Sequence, residues 1–239
     1  MYANKKVSLI LPVYNEQENI SNAIKEFSSL KIFDEIIAVD NNSKDNSKKI
    51  IKSSKAKYIF EKKQGYGAAI RKGLEKSKGQ LLVICEPDGS FQAKDTLKLL
   101  KFIEKYDCVF GTRTVKKFIR KGAKMYFALR MGNIIVAKFL SILFPGNTYT
   151  DVGCTFKILK RDCYLKIKKK LKVISSELQP EIMINLILQK YKIIEIPVVY
   201  KKRKGNSKIT RDFFSTSIVA LKMIKLIIFL KLKNLTNFH

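Results

Sequence analysis

Three short apolar runs in the first half of the chain each hand over to polar or acidic side chains at their C-terminal end. Val7-Ser-Leu-Ile-Leu-Pro12 leads to Asn15 and Glu16, Glu35-Ile-Ile-Ala-Val-Asp40 ends on a carboxylate, and Leu81-Leu-Val-Ile-Cys85 leads to Glu86 and Asp88. Between them lie amphipathic stretches that read as helices, Glu18 to Leu30 and Asp45 to Ser53. A short strand at Ala56 to Phe60 and a helix opened by the turn Gln64-Gly-Tyr-Gly67 and running through Lys76 continue the pattern. Such alternation predicts an α/β fold, an open and mostly parallel sheet flanked by helices. Ligands of such sheets bind beyond the carboxyl ends of the strands, so the three polar termini predict one site on one edge.

Composition excludes several chemistries. The only histidine in the 239 residues is His239, so Ser/His/Asp triads and other imidazole-dependent sites are ruled out, and any reaction must run on carboxylates, cations and metal. Cys85, Cys108, Cys154 and Cys163 have no metal-ligand or redox spacing and read as reduced thiols of a cytoplasmic setting. Met1 to Lys6 runs straight into the first strand without the apolar stretch of a signal peptide, and no apolar run is long enough for a confident membrane span.

The charge is +28, from 48 Lys+Arg against 20 Asp+Glu, and it is unevenly spread. Met1 to Thr112 carries 20 basic and 14 acidic residues, whereas Arg113 to His239 carries 28 and 6. The second half is expected to face an anionic partner, with nucleic acid, phospholipid head groups and phosphorylated substrates all candidates on charge alone. Here Lys117, Lys121 and Lys124 fall on one helical face, and a second helix is expected from Met131 to Leu143, ending at Pro145-Gly146. From Phe213 to Leu232 the residues Ser215, Lys222, Lys225 and Lys233 form a narrow polar stripe on an otherwise apolar helix. Its broad apolar face is expected to lie on the protein core or in a bilayer interface, with lysines reaching anionic head groups.

Glu86-Pro-Asp88 places two carboxylates at a strand end. Hard oxygen ligands there suit Mg²⁺ or Mn²⁺ bridging to substrate phosphates, although Asp88-Gly89 is also ordinary turn chemistry. Asp40 likewise reads either as a ligand contact or as a cap for the helix that follows. Arg203 and Lys208 lie in a Gly/Ser loop after an Ile193 to Tyr200 strand, where two cations and backbone could close over a phosphate.

Taken together, Leu11-Pro-Val-Tyr-Asn-Glu16, Val39-Asp-Asn-Asn-Ser-Lys-Asp-Asn46, Gln64-Gly-Tyr-Gly-Ala-Ala69, Glu86-Pro-Asp88 and Gly111-Thr-Arg113 resemble, in order and spacing, the family 2 glycosyltransferases. Thr150-Asp-Val-Gly-Cys-Thr-Phe-Lys157, Glu177 to Glu181 and Glu195 to Lys208 are similar to the branch that makes polyprenyl-phosphate sugars, the dolichyl-phosphate mannose synthase type. The resemblance spans nearly all of Val7 to Thr210. It implies a GT-A, Rossmann-like fold in which 1–212 form the catalytic domain, with a donor half to about 112 and an acceptor half beyond it, while 213–239 supply an amphipathic helix.

The resemblance further implies an inverting transfer from a nucleoside-diphosphate sugar to a polyprenyl phosphate, with the protein held peripherally on the cytoplasmic face of the membrane. Pro12, Tyr14, Glu16 and Gly65 would line the nucleotide-sugar pocket, Asp40 would meet the base, and Glu86 and Asp88 would hold the metal on the diphosphate. Arg113 and then Arg130, with Arg203 and Lys208, would serve the phosphates. Asp151 would stand beside the acceptor, orienting groups if that is a phosphate and acting as base if it is a hydroxyl. Two departures stand out: Glu86 where the metal motif usually begins with aspartate, and Asn41 where a second acid usually follows Asp40. Against this reading stand a hydroxyl acceptor on a glycolipid or polysaccharide, a non-catalytic relative that binds a membrane partner, and a basic nucleic-acid-binding protein suggested by runs such as Lys168-Lys-Lys170. The last lacks the aromatic-basic interleaving of nucleic-acid modules.

Overall fold

The computed structural model describes residues 1–146, 148–205 and 213–236. Seven strands form one sheet in the order β3-β2-β1-β4-β6-β5-β7: β1 (Val7–Val13), β2 (Glu35–Asp40), β3 (Lys57–Phe60), β4 (Leu81–Ile84), β5 (Cys108–Thr112), β6 (Lys157–Lys160) and β7 (Ile193–Pro197). β6 alone runs antiparallel to its neighbours β4 and β5. The other pairings are parallel, with Leu9 opposite Ile36 and Val109 opposite Ile194 setting the register.

All seven residues of β1 are buried, as a central strand covered on both faces requires. Each Leu or Ile there contributes on the order of 1.5–3 kcal/mol through burial. Alternating residues go to opposite faces. Ile10, Ile37, Leu82, Ile84 and Phe110 pack under α3 (Tyr66–Lys76), α5 (Phe127–Leu143), α6 (Arg161–Ile167), α7 (Leu178–Leu188) and α8 (Phe213–Thr236). Leu9, Leu11, Ile36, Ala38 and Val83 pack under α1 (Ile20–Ser28), α2 (Ser47–Lys52) and α4 (Asp95–Leu100).

Two expectations change. Lys117, Lys121 and Lys124 do not share a helix: only a three-residue 3-10 turn, Lys116–Phe118, forms there. The segment instead bonds to Tyr200, whose N–H donates to the Phe118 carbonyl at 3.0 Å while its carbonyl accepts from the Arg120 N–H at 2.9 Å, and Gly122 takes a positive φ of 82°. Gly122 in the left-handed region interrupts a helix there, and backbone pairing with Tyr200 takes its place. The helix expected from Met131 begins earlier, at Phe127.

α8 is apolar on two sides. Met223 and Ile227 are buried against the core, and the helix packs on α5 and α7. Its outer side exposes Phe214, Leu221, Phe229 and Leu232 beside Lys222, Lys225 and Lys233. α5 likewise exposes Phe127, Ile135 and Ile142. No helix among the described residues is long and apolar enough to cross a membrane.

Candidate active site

The loop after β1 is shaped by Asn15, whose φ of 52° is one that asparagine tolerates. Its N–H donates to Ser43 Oγ at 3.0 Å, and its side-chain oxygen accepts from the Lys44 N–H at 2.7 Å, so the loops after β1 and β2 brace each other. Glu16 is thereby buried, its N–H donating to Ser47 Oγ at 2.8 Å. Pro12, Tyr14 and Glu16 line a cavity of about 150 Å³ together with Asn41, Gln64 and Tyr66.

Asp40 reaches the same edge but not this cavity. Its carboxylate accepts from the Ser43 N–H at 2.9 Å and the Tyr58 hydroxyl at 3.2 Å, so it shapes the β2 loop from behind. Its neighbour Asn41 fixes the glycine turn: the amide donates to the Glu61 and Lys63 carbonyls, and its oxygen accepts from the Gly65 N–H at 2.8 Å. Gly65 sits at a φ of 150°, and a Cβ there would collide with the Ile174 carbonyl.

Beyond β4, Asp88 Oδ1 accepts from the Ser90 N–H at 2.9 Å and hydroxyl at 2.6 Å. Its other oxygen faces the Arg203 guanidinium at 3.2 Å, which also meets Glu16 at 2.5 Å. Arg203 is carried there by a segment stitched to the Asp88 turn, with Lys201 donating to the Ser90 carbonyl and Lys204 to the Asp88 carbonyl. Glu86 Oε1 accepts from the Tyr66 and Thr155 hydroxyls at 2.8 and 2.9 Å. Burial, with the Asp88 charge beside it, pushes the Glu86 carboxyl up to about 7. The donor set fits a hard divalent cation: a carboxylate oxygen of Asp88 already holds a cationic group, and Glu86 adds a second acid. Among the described residues no three or more acidic, cysteine or histidine side chains are placed to hold a metal ion together, so such an ion would draw its further ligands from substrate phosphates and water.

Arg113 leaves the end of β5 and is gripped by Asp151. The guanidinium Nε and one terminal nitrogen meet the two carboxylate oxygens at 2.8 Å each, and the Arg113 N–H adds a bond of 3.0 Å. Gly153 N–H donates to the same carboxylate at 3.2 Å. Burial alone would raise the Asp151 carboxyl, but the Arg113 charge and these bonds outweigh it and hold it below the ordinary carboxylate range. Arg113 stacks near the Tyr200 ring and lines a second cavity of about 450 Å³ that runs past Met125, Leu129 and Val136 of the α5 region to Val219 and Met223 of α8. The two cavities share Tyr66, Glu86, Asp88 and Arg203, so the acids stand at their junction.

The structure therefore places Pro12, Tyr14, Glu16, Glu86, Asp88, Arg113 and Arg203 on the walls of two joined cavities, with Asp151 buried beside Arg113. Gly65 shapes the turn beside them. Arg130 stands off on α5, donating to the Thr114 carbonyl at 3.3 Å, and Lys208 lies outside the described residues. Tyr66, Thr155, Tyr200 and Asn41 join the site without having been singled out as its ligands. Tyr66 and Thr155 carried a signal, since both fall inside quoted motifs, but their meeting at Glu86 is a long-range contact that spacing does not show.

The model of the family described as glycosyl transferase family 2 matches residues 8–167. A dolichyl-phosphate hexose transferase of Haloferax volcanii is 27% identical over 213 residues, covering 87% of this chain and 88% of the relative. A UDP-N-acetylglucosamine–dolichyl-phosphate N-acetylglucosaminyltransferase of Methanococcus voltae is 25% identical over 219 residues, covering 82% and 86%. Among solved structures, glucosyl-3-phosphoglycerate synthase from Mycobacterium tuberculosis, in complex with Mn²⁺, UDP and phosphoglyceric acid, superposes with a TM-score of 0.74 at 16% identity, over 96% of this chain and 79% of that one. That likeness establishes the GT-A fold.

Proposed function

The chain belongs to glycosyl transferase family 2, and from that premise we propose that it moves a sugar from a nucleoside-diphosphate sugar to a polyprenyl phosphate, with inversion, at a membrane surface. The observation that carries the acceptor class is the saturation of Asp151. Its carboxylate accepts four hydrogen bonds, three of them from Arg113, and is held below the ordinary carboxylate range, so it is poorly placed to take a proton from a hydroxyl. A phosphate monoester needs no such base, because its second pKa is about 6 and its oxygen is already ionised near neutral pH. The dolichyl-phosphate acceptors for which the two relatives are named support the same reading.

In this reading Pro12, Tyr14, Glu16 and Gly65 shape the donor cavity. Asp88, with Glu86 beside it, would hold Mg²⁺ or Mn²⁺, which when bound neutralises the charge of the departing nucleoside diphosphate. Arg113, oriented by Asp151, meets the acceptor phosphate from the wall of the larger cavity, and Arg203 closes over the phosphates from the side of Asp88. Arg130 belongs to the outer part of that cationic set, and Lys208 would serve the same phosphates. The larger cavity, walled by apolar residues of α5 and α8, takes the first part of the prenyl chain. The outward apolar faces of those helices, with Lys138, Lys222, Lys225 and Lys233, lie on an anionic bilayer, peripherally and on the cytoplasmic side, where free thiols such as the buried Cys85, Cys108, Cys154 and Cys163 persist. Residues 1–212 then act as the catalytic domain, split near 112 into donor and acceptor halves, with 213–239 as its membrane-facing segment.

The test offers purified protein a labelled nucleotide sugar and either a polyprenyl phosphate or the corresponding polyprenol in the same vesicles. Label should pass to the phosphate alone. Transfer to the polyprenol, or to a soluble sugar hydroxyl at a comparable rate, would refute the acceptor assignment.

A further inference from the structure

Glu195 lines neither cavity, yet its carboxylate is turned toward the loop that carries Asp151. One oxygen accepts from both the N–H and the hydroxyl of Thr150 at 2.7 Å, and the other from the Asp151 N–H at 3.1 Å. The Thr150 hydroxyl lies 2.8 Å from that of Thr112, which is 2.9 Å from that of Thr114. Thr112 and Thr114 flank Arg113, and Asp151 grips its guanidinium. One carboxylate on β7 therefore ties together both segments that fix the Arg113 side chain. Lys157 secures the far end of the same loop, donating to the Cys154 carbonyl and, at 2.7 Å, to Gln179.

A surface glutamate would satisfy none of these groups. Three donors converge on two oxygens here, a demand that a carboxylate meets and a neutral amide, with one acceptor and one NH₂, does not. Resting on the reading of Arg113 as the cation that meets the acceptor phosphate, we infer that Glu195 is a positioning residue for sugar transfer, fixing the Thr150–Asp151 backbone so that Asp151 presents Arg113 to the larger cavity. It contacts no substrate and acts only through its neighbour.

The experiment compares Glu195→Gln, Asp151→Asn and the double variant in steady-state transfer to polyprenyl phosphate, with Mn²⁺-dependent UDP binding measured in parallel. Glu195→Gln should lower kcat roughly tenfold while donor KM and UDP affinity stay within about twofold, and the double variant should be no slower than Asp151→Asn alone. Thr150→Val, which keeps the backbone bonds and removes only the hydroxyl link, should show a smaller loss of the same kind and covers the case in which Glu195→Gln folds poorly. Wild-type kcat in Glu195→Gln, or a loss that multiplies with that of Asp151→Asn, would overturn the inference. Full activity in Arg113→Ala and Asp151→Asn would instead overturn the acceptor reading beneath it.

Discussion

Arg203 stands where a metal ion would have to compete for Asp88. Its guanidinium bridges Asp88 at 3.2 Å and Glu16 at 2.5 Å, and its side chain is 22% exposed against 4% for Asp88, so the contact is only weakly screened. Hydrogen bonds to charged groups contribute roughly 1.5–3 kcal/mol net, and every 1.4 kcal/mol is about tenfold in affinity. A divalent cation binding the empty protein must displace this contact. Arg203→Gln should therefore tighten Mn²⁺ binding in the absence of nucleotide by roughly tenfold to a hundredfold. In the wild type, UDP offers Arg203 a new anionic partner, so Mn²⁺ and UDP should each strengthen the other's binding by the same factor, and that coupling should shrink in the variant. The assay is titration of Mn²⁺ followed by the paramagnetic resonance of the free ion, with and without UDP. Unchanged or weaker Mn²⁺ binding by Arg203→Gln without nucleotide would refute the argument, whatever happened to activity.

Asp151→Asn breaks a buried ion pair and should cost about 3 kcal/mol, or roughly 6–12 °C in Tm for a chain of this size. Because the Asp151 carboxyl is held down, the pair's contribution is complete above the ordinary carboxylate pKa of about 3.9 and fades only as pH falls through the lower folded value. Calorimetry should thus find the same loss at pH 5.5 and pH 8, whereas a loss confined to one of them would contradict the assignment. Transfer by this variant should fall by 10- to 100-fold, in keeping with an orienting role, as read by kcat. Gly65→Ala, with its strained φ and its clash at Ile174, should destabilise the protein by at least about 2 kcal/mol in denaturant titration and weaken UDP binding. Phe229→Glu and Leu232→Glu together should release the protein from anionic vesicles in sedimentation while leaving its Tm within a few degrees; unchanged co-sedimentation would remove the helix from the membrane contact.

The central parallel strands were legible because a strand buried on both faces is written as a largely apolar run. Glu35–Asp40 forms as expected, and Val7–Val13 extends the expected strand by one residue. The polar groups at the strand ends were legible for the same reason, since topology sends them to one edge. β6 was hidden because Lys157-Ile-Leu-Lys160 has charged ends, and the burial of Lys157 depends on Gln179 and Cys154, partners that only the folded chain supplies. Asp40 shows the limit of position without direction: it ends β2 as read, but its side chain turns toward Tyr58 and not the cavity. The lysine row at 117–124 carried a helical period, but period did not outweigh the glycine turn at 122 and the backbone pairing offered by Tyr200.

The central claim is transfer of a sugar to a lipid phosphate, and the most direct measurement is mass spectrometry of the lipid product. Purified protein is incubated with a panel of UDP- and GDP-sugars, Mn²⁺ or Mg²⁺ and undecaprenyl phosphate, alongside Asp88→Ala. The account predicts a glycosyl phospholipid from at least one donor, with the sugar joined through the phosphate, and its loss in Asp88→Ala. A wild-type protein that binds UDP with metal yet forms no glycosyl phospholipid from any donor would contradict it.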